Sequence, residues 1–192
     1  IGYGNSARLL KNIIGLWLVQ ECRRSWAKQG NEYSYDQLTE MAINSKPYQS
    51  VLNPLDPSFI APDNMPKLIS EICNETNQVV PKTPGEIIRC ALESLALLYA
   101  KTLSEAEKLV GWKAEKLHIV GGGSKNVLLN QLTADAANID VVAGPAEATA
   151  SGNVLVQAIA DGVVSDLDEA RQIINRSFDT ETFNPKASLE LE

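Results

Sequence analysis

Lys116-Leu117-His118-Ile119-Val120-Gly121-Gly122-Gly123-Ser124-Lys125-Asn126 is the stretch on which the fold turns. Its first five residues carry the β-branched pair Ile119 and Val120 on a short apolar run, which predicts a strand. Three glycines follow at once, and Ser124 is placed to cap a helix over 125–137. Further on, Ile139-Asp140-Val141-Val142 predicts a second strand and Gly144-Pro145 a turn. A helix over 147–160 is stopped by Gly162, and Ser165 opens a last helix holding Leu167, Ile173 and Ile174. Strand, glycine turn, helix, strand, helix is the order of an α/β sheet, whose ligands bind at the carboxyl ends of the strands.

Glycine has no side chain to stand between the backbone and a ligand, and it reaches positive φ without strain. A triple glycine between a strand and a helix therefore suits close approach by a flat or charged group. The same residues also serve tight packing at a turn, so their order alone leaves two readings, a nucleotide site or a packing device.

The chain before this stretch is helical. Leu9, Leu10, Ile13, Leu16, Trp17 and Leu18 recur at helical spacing and predict a helix over 6–29, with Gly30 at its stop. Ser34-Tyr35-Asp36-Gln37 is a capping box that opens a short helix to about Asn44. Prolines 47, 54, 57, 62 and 66 then exclude ordinary helix or central strand over 47–66, and Pro66 suits the first turn of a helix through Ile69 and Cys73. Thr83-Pro84-Gly85-Glu86 is a second capping box. The helix behind it runs to about Val110, where Gly111 ends it. Its apolar surface is wide enough to require burial, with a sheet as the expected partner.

Composition closes several function classes. The 192 residues hold 44% hydrophobic and 21% charged side chains, a globular balance with room for a core. Seventeen Lys and Arg against 24 Asp and Glu give a net charge of -7, so nucleic acid is not expected as a partner. No apolar run reaches about 18 residues, so no membrane span is expected. Three cysteines without a C-x-x-C pair, and a single histidine, argue against a metal site and against a disulfide framework. They favour a reducing, cytoplasmic setting. Cys73 and Cys90 flank a proline-rich turn and can meet in space. His118, inside the first strand, is expected to be an ordinary structural or surface residue. Gly2-Tyr3-Gly4-Asn5-Ser6-Ala7 has the spacing of a dinucleotide fingerprint, but no strand precedes it in the chain, and Glu21 falls inside an expected helix. No G-x-x-x-x-G-K-[ST] loop occurs.

Residues 117–136, from Leu117-His118-Ile119-Val120-Gly121-Gly122-Gly123-Ser124-Lys125-Asn126 through Leu128-Leu129-Asn130-Gln131-Leu132-Thr133-Ala134-Asp135-Ala136, resemble the adenosine segment of the FGGY carbohydrate kinases. Arg8-Leu9-Leu10-Lys11-Asn12-Ile13-Ile14-Gly15-Leu16-Trp17-Leu18-Val19-Gln20-Glu21 agrees, as do Ser94-Leu95-Ala96-Leu97-Leu98-Tyr99-Ala100 and Ala143-Gly144-Pro145-Ala146-Glu147-Ala148-Thr149-Ala150-Ser151-Gly152-Asn153. The loop from Asn53-Pro54 to Met65-Pro66 also fits. Within that family the blocks are most similar to the branch acting on L-rhamnulose.

The resemblance implies an actin-like (ribonuclease-H-like) α/β fold, helix-rich with a small sheet. Residues 1–182 would form the C-terminal nucleotide-binding lobe and 183–192 a tail; the closing Leu189-Glu190-Leu191-Glu192, read from the residues alone, is open to being an addition to the native sequence. The chain opens on Ile1 and is expected to be cut from a longer protein. ATP with Mg²⁺ would be the phosphoryl donor, ATP or ADP the bound partner, and a ketose the acceptor. The resemblance places the catalytic Asp and the sugar-binding residues ahead of Ile1, so no residue of this chain is assigned to catalysis. It carries over Gly122 as the adenosine-loop glycine, and Asn12 and Gln20 as polar contacts to ATP. Eight residues apart on one helix, these two would stand about 80° apart around the axis and about 12 Å along it. Gly121, Gly123 and Asn126 would shape the adenine pocket, with local capping as the alternative for Asn126. Gly152 is expected to serve close helix packing. Three alternatives stay open: a kinase of another sugar, an actin-like ATP-binding protein without transfer activity, and an α/β interaction domain.

Overall fold

The computed structural model describes residue 7 and residues 9–186. Gly2–Ser6 of the fingerprint-like segment and the closing Leu189–Glu192 lie outside the described residues. The chain divides into two compact units, residues 1–113 and 114–192.

The first unit is helical among its described residues. Helix α1 spans Trp17–Lys28, α2 Tyr35–Ile43, α3 Met65–Glu75 and α4 Pro84–Val110. Both capping boxes form as expected. Ser34 accepts from the Gln37 amide while the Gln37 side chain accepts from the Ser34 amide. Thr83 and Glu86 repeat the exchange at the head of α4. Glu86 also accepts from the Lys82 amide, and these backbone donors hold its carboxyl below the usual value of 4.5. Gly111, at φ +79°, closes α4 in the left-handed conformation that glycine adopts without strain.

Three features of this unit depart from the sequence reading. The first helix begins at Trp17, about ten residues later than expected. Gly15 lies inside the expected span and weakens a helix there. Leu9 and Leu10 are 59% and 74% exposed, so no burial drives that stretch helical. Lys11 instead makes an ion pair with Glu105 of α4 at 2.6 Å. Secondly, α4 packs on α1, α2 and α3 rather than on a sheet. Its buried face, including Ile88, Leu92 and Leu95, meets a core with Leu18, Leu38 and Ile69. Thirdly, the proline-rich loop carries a short 3-10 turn at Pro57–Phe59. Phe59 is fully buried, and its carbonyl accepts from Trp17 Nε1 at 2.9 Å. The loop is tied down elsewhere by Leu52 N to Ser94 Oγ and by Val51 N to Gln78. Cys73 and Cys90 meet, as the sequence allowed, and stand as free thiols joined by a hydrogen bond. The Cys90 thiol, helped by Ser50 against the opposing effect of burial, draws Cys73 down to about 7, while Cys90 is pushed up.

Gly85 shows how closely α2 and α4 approach. A Cβ built there would lie 2.5 Å from the Met41 carbonyl oxygen and 2.6 Å from Ser45 Oγ. Backbone at that distance has to shift. Gly85→Ala is therefore expected to cost about 1–3 kcal/mol, the range for overpacking. A denaturation midpoint unchanged in urea would show that the helix pair gives way freely.

The second unit is α/β. Strand β1 spans Lys116–Ile119, α5 Val127–Ala137, β2 Asp140–Ala143, α6 Ala148–Ala160, α7 Leu167–Ser177 and β3 Glu181–Phe183. Strands β1 and β2 pair in parallel, Leu117 opposite Val141 and Ile119 opposite Ala143. Strand β3 pairs antiparallel with β2, Phe183 opposite Val141, giving the order β1-β2-β3. Ala134, Val141, Ala143 and Phe183 form the core, with Leu117 and Ile119 packed against it. The third strand was not foreseen, because three residues alternate too briefly to be read. It crosses the expected tail boundary, and Lys186 N still bonds Asp135 at 2.8 Å, so the folded unit continues past residue 183.

Two caps fall one or two residues later than expected. Asn126, not Ser124, caps α5, accepting from Leu129 N at 2.9 Å. Asp166, not Ser165, caps α7, accepting from the Asp168 and Glu169 amides. Among the described residues nothing lies within 4 Å of an ideal Cβ at Gly152, so close helix packing there is not what calls for glycine. No helix among the described residues is long and apolar enough to cross a membrane.

Candidate functional site

The parallel pairing of β1 and β2 brings their carboxyl ends side by side. Two backbone bonds join the loops that leave them. Gly144 N donates to Ile119 O at 2.8 Å, and Gly121 N donates to Pro145 O at 3.3 Å. Gly144 stands at φ +108°, which calls for glycine, and the Asp179 carbonyl lies a tight 3.2 Å from its ideal Cβ position.

The three glycines do not simply turn the chain. With Ser124 and Lys125 they wind one 3-10 turn, Gly121–Lys125, which sets α5 back to Val127. Gly121 takes φ +78°, the left-handed region. Gly122 takes no such angle. Among the described residues, nothing lies within 4 Å of an ideal Cβ at Gly121 or Gly122, and Gly123 meets only Ile119 Cγ2 at 3.9 Å. Close packing against a neighbour is therefore not what calls for glycine at Gly121 or Gly122. Gly121 is explained by its backbone angle. Gly122 has neither a left-handed angle nor a crowded flank among the described residues.

The turn is held from within. Ser124 Oγ donates to Gly121 O at 2.7 Å, and Asn126 N donates to Gly123 O at 3.1 Å. Asn130 Nδ2 donates to Ser124 O at 2.8 Å. Three carbonyls of the loop are thus engaged by the protein itself, while Gly121 and Gly122 keep an open flank. Asn126 is buried, and its Oδ1 serves the α5 cap, so the local alternative for this residue is the one the structure shows for that atom.

The two remaining candidates belong to the first unit. Asn12 is exposed in non-helical backbone ahead of α1, and Gln20 is exposed on α1. They do not share a helix, and the 80° and 12 Å relation expected between them does not hold. Gly121, Gly122, Gly123 and Asn126 are brought together on one turn of the second unit. Asn130, missed in the sequence, joins them there. Its signal was an asparagine between Leu129 and Leu132, on the face of α5 that the apolar residues bury.

His118 is exposed on β1, as expected of an ordinary surface residue. Among the described residues, no three His, Cys, Asp or Glu side chains gather as a metal site.

Comparison with known proteins gives this geometry its context. Residues 1–160 match the model of the FGGY family of carbohydrate kinases, C-terminal domain. The rhamnulokinase of Bacillus subtilis (strain 168) is 44% identical over 185 residues, which cover 96% of this chain and 38% of that protein. The rhamnulokinase of Bacteroides thetaiotaomicron is 45% identical over 96% of this chain and 37% of its own length. That of Enterococcus faecalis is 46% identical over 95% and 37%. The chain thus spans under two-fifths of the length of these relatives. Among solved structures, xylulose kinase from Rhodospirillum rubrum superposes with a TM-score of 0.59 at 18% identity, over 90% of this chain and 33% of that one. Helix-rich architecture with a small sheet is accordingly the fold of a sugar-kinase C-terminal region.

Proposed function

The chain belongs to the FGGY family of carbohydrate kinases, and from that premise we propose that it is the nucleotide-binding lobe of an ATP-dependent ketose kinase, with L-rhamnulose as acceptor and L-rhamnulose 1-phosphate as product. The observation that carries the nucleotide reading is the open flank of Gly121 and Gly122 at the carboxyl end of β1. That is where an α/β sheet receives its ligand. The rhamnulokinase relatives support the choice of sugar.

In this reading the adenosine of ATP lies against the glycine turn. Gly122 admits the nucleotide to the backbone, Gly121 fixes the turn by its φ, and Gly123 with Asn126 sets where α5 begins. Asn12 and Gln20 remain amide candidates for ATP on the family resemblance alone. The chemistry is in-line phosphoryl transfer, in which positioning and electrostatic stabilisation do most of the catalysis. Mg²⁺, when bound with ATP, neutralises phosphate charge. The contribution of this chain is to hold and orient the donor. The base that accepts the sugar hydroxyl proton belongs to the part of the enzyme ahead of this lobe. The setting is cytoplasmic, with ATP/ADP and the sugar as partners.

Calorimetry with ADP on the full-length protein that carries this lobe tests the reading. Saturable binding is expected, together with turnover that is fastest on L-rhamnulose among a panel of ketoses. The chain by itself is expected to give no turnover. Absence of nucleotide binding would remove the proposal in favour of an interaction domain. ADP binding without turnover on any ketose would favour a non-catalytic ATP-binding protein, and a faster ketose would reassign the sugar.

A further inference from the structure

We propose that Asn130 is the positioning residue of the nucleotide loop, an inference that rests on the nucleotide reading above. Asn130 lies in the first turn of α5 and is fully buried. Its Nδ2 donates to Ser124 O at 2.8 Å. Ser124 in turn donates through Oγ to Gly121 O at 2.7 Å. A short relay of hydrogen bonds therefore runs from the interior of the second unit to Gly121, the residue beside Gly122.

The other half of the Asn130 amide makes the case. Its Oδ1 is buried and has no partner among the described residues. A buried acceptor without a donor destabilises the folded state. Leucine has nearly the shape of asparagine, carries no orphan oxygen, and would suit the company of Leu129, Leu132 and Ala134. Stability alone would therefore select an apolar side chain here. What asparagine supplies in place of that stability is the bond that pins the Ser124 carbonyl and with it the course of the turn.

The residue touches the loop and not the nucleotide, so its loss acts through geometry. With the Ser124 carbonyl released, the turn from Gly121 to Lys125 keeps its internal bonds and the Gly121 N bond to Pro145 O, and loses its side-chain tie to α5. A loop that samples several courses presents the open flank of Gly122 only part of the time, and affinity falls in proportion to that population. The fold below it, centred on Val141 and Phe183, stays as it is.

Asn130→Leu in the full-length protein tests this with two readouts. The ADP dissociation constant is expected to rise about tenfold while Tm stays equal or increases. Amide hydrogen exchange across residues 121–126, measured without nucleotide, is expected to speed up. A merely structural asparagine would move neither. Affinity within twofold of the parent, or unchanged exchange in the loop, overturns the inference. If the leucine variant does not fold, Asn130→Ala is read by affinity and loop exchange alone, since truncating a buried side chain lowers Tm in any case. A parent protein that binds no ADP would refute the nucleotide reading itself, and the exchange measurement would still decide whether Asn130 holds the loop.

Discussion

Gly122→Val is expected to weaken ADP binding about a hundredfold or more, with Tm held within a few degrees. Gly122 has ordinary backbone angles and nothing within 4 Å of its ideal Cβ. The fold therefore accepts a side chain at this position, at the small cost of a β-branched residue in a short turn. A ligand pressed against the backbone does not. The two added methyl groups occupy the space where the nucleotide would lie, and a displacement of an ångström or so removes its contacts together. A hundredfold loss corresponds to about 2.7 kcal/mol of binding free energy. Titration calorimetry gives the affinity and circular dichroism the Tm. Equal ADP affinity in a folded variant would show that the open flank is not where the nucleotide lies.

Glu93→Ala is expected to remove about 3–5 kcal/mol of stability, the range for breaking a buried ion pair from one side. Glu93 is 1% exposed on α4, with Arg89 Nε 2.6 Å from its carboxylate. Both carboxylate oxygens also accept from the Tyr48 amide, at 3.1 and 3.0 Å. Tyr48 itself stands at φ +53°, uncommon for a side chain of its size, and this contact helps to hold it there. Removal of the carboxylate leaves the guanidinium 13% exposed without its acidic partner and frees the entry to the proline-rich loop. Glu93→Gln keeps the shape and one acceptor, and is expected to lose less. Burial holds the Glu93 carboxyl above the usual 4.5, with Arg89 and Tyr48 opposing. The sign of its pH dependence follows. A group raised in the folded state contributes stability that is present below its unfolded value and lost as pH rises through the folded value. Urea midpoints of parent and Glu93→Gln, compared from pH 4 upward, should converge along that slope. A parallel pair of curves would show that Glu93 does not titrate differently on folding.

The residues that declared themselves in the sequence are those whose effect is local. Ser34 with Gln37, and Thr83 with Glu86, satisfy backbone amides three residues away, so spacing alone locates them. Pro66 and Gly111 act through their own φ. The start of α1 did not declare itself, because apolar spacing at Leu9 and Leu10 signals a helix only where something covers those side chains. The partner of α4 was misjudged for a related reason. A wide apolar face states that burial is needed and does not state against what. At the site, the glycine triplet marked the place, but its 3-10 turn moved the cap from Ser124 to Asn126. Asn130 escaped notice because its partner, the Ser124 carbonyl, is a backbone atom that no pattern of side chains records.

The boundary between residues 113 and 114 also decides how these variants can be watched. Trp17, Trp26 and Trp112 all lie before it, and so do the tyrosines Tyr3, Tyr33, Tyr35, Tyr48 and Tyr99. The second unit holds only Phe178 and Phe183 as aromatic residues, so it is dark at 280 nm. Indole emission will therefore follow Gly85→Ala and Glu93→Ala from inside their own unit, where Trp26 stacks edge-on against Tyr33. It carries no intrinsic signal from the unit of Gly122 and Asn130. A tryptophan placed by design in that silent half would turn the glycine turn into an optical reporter of its own occupancy.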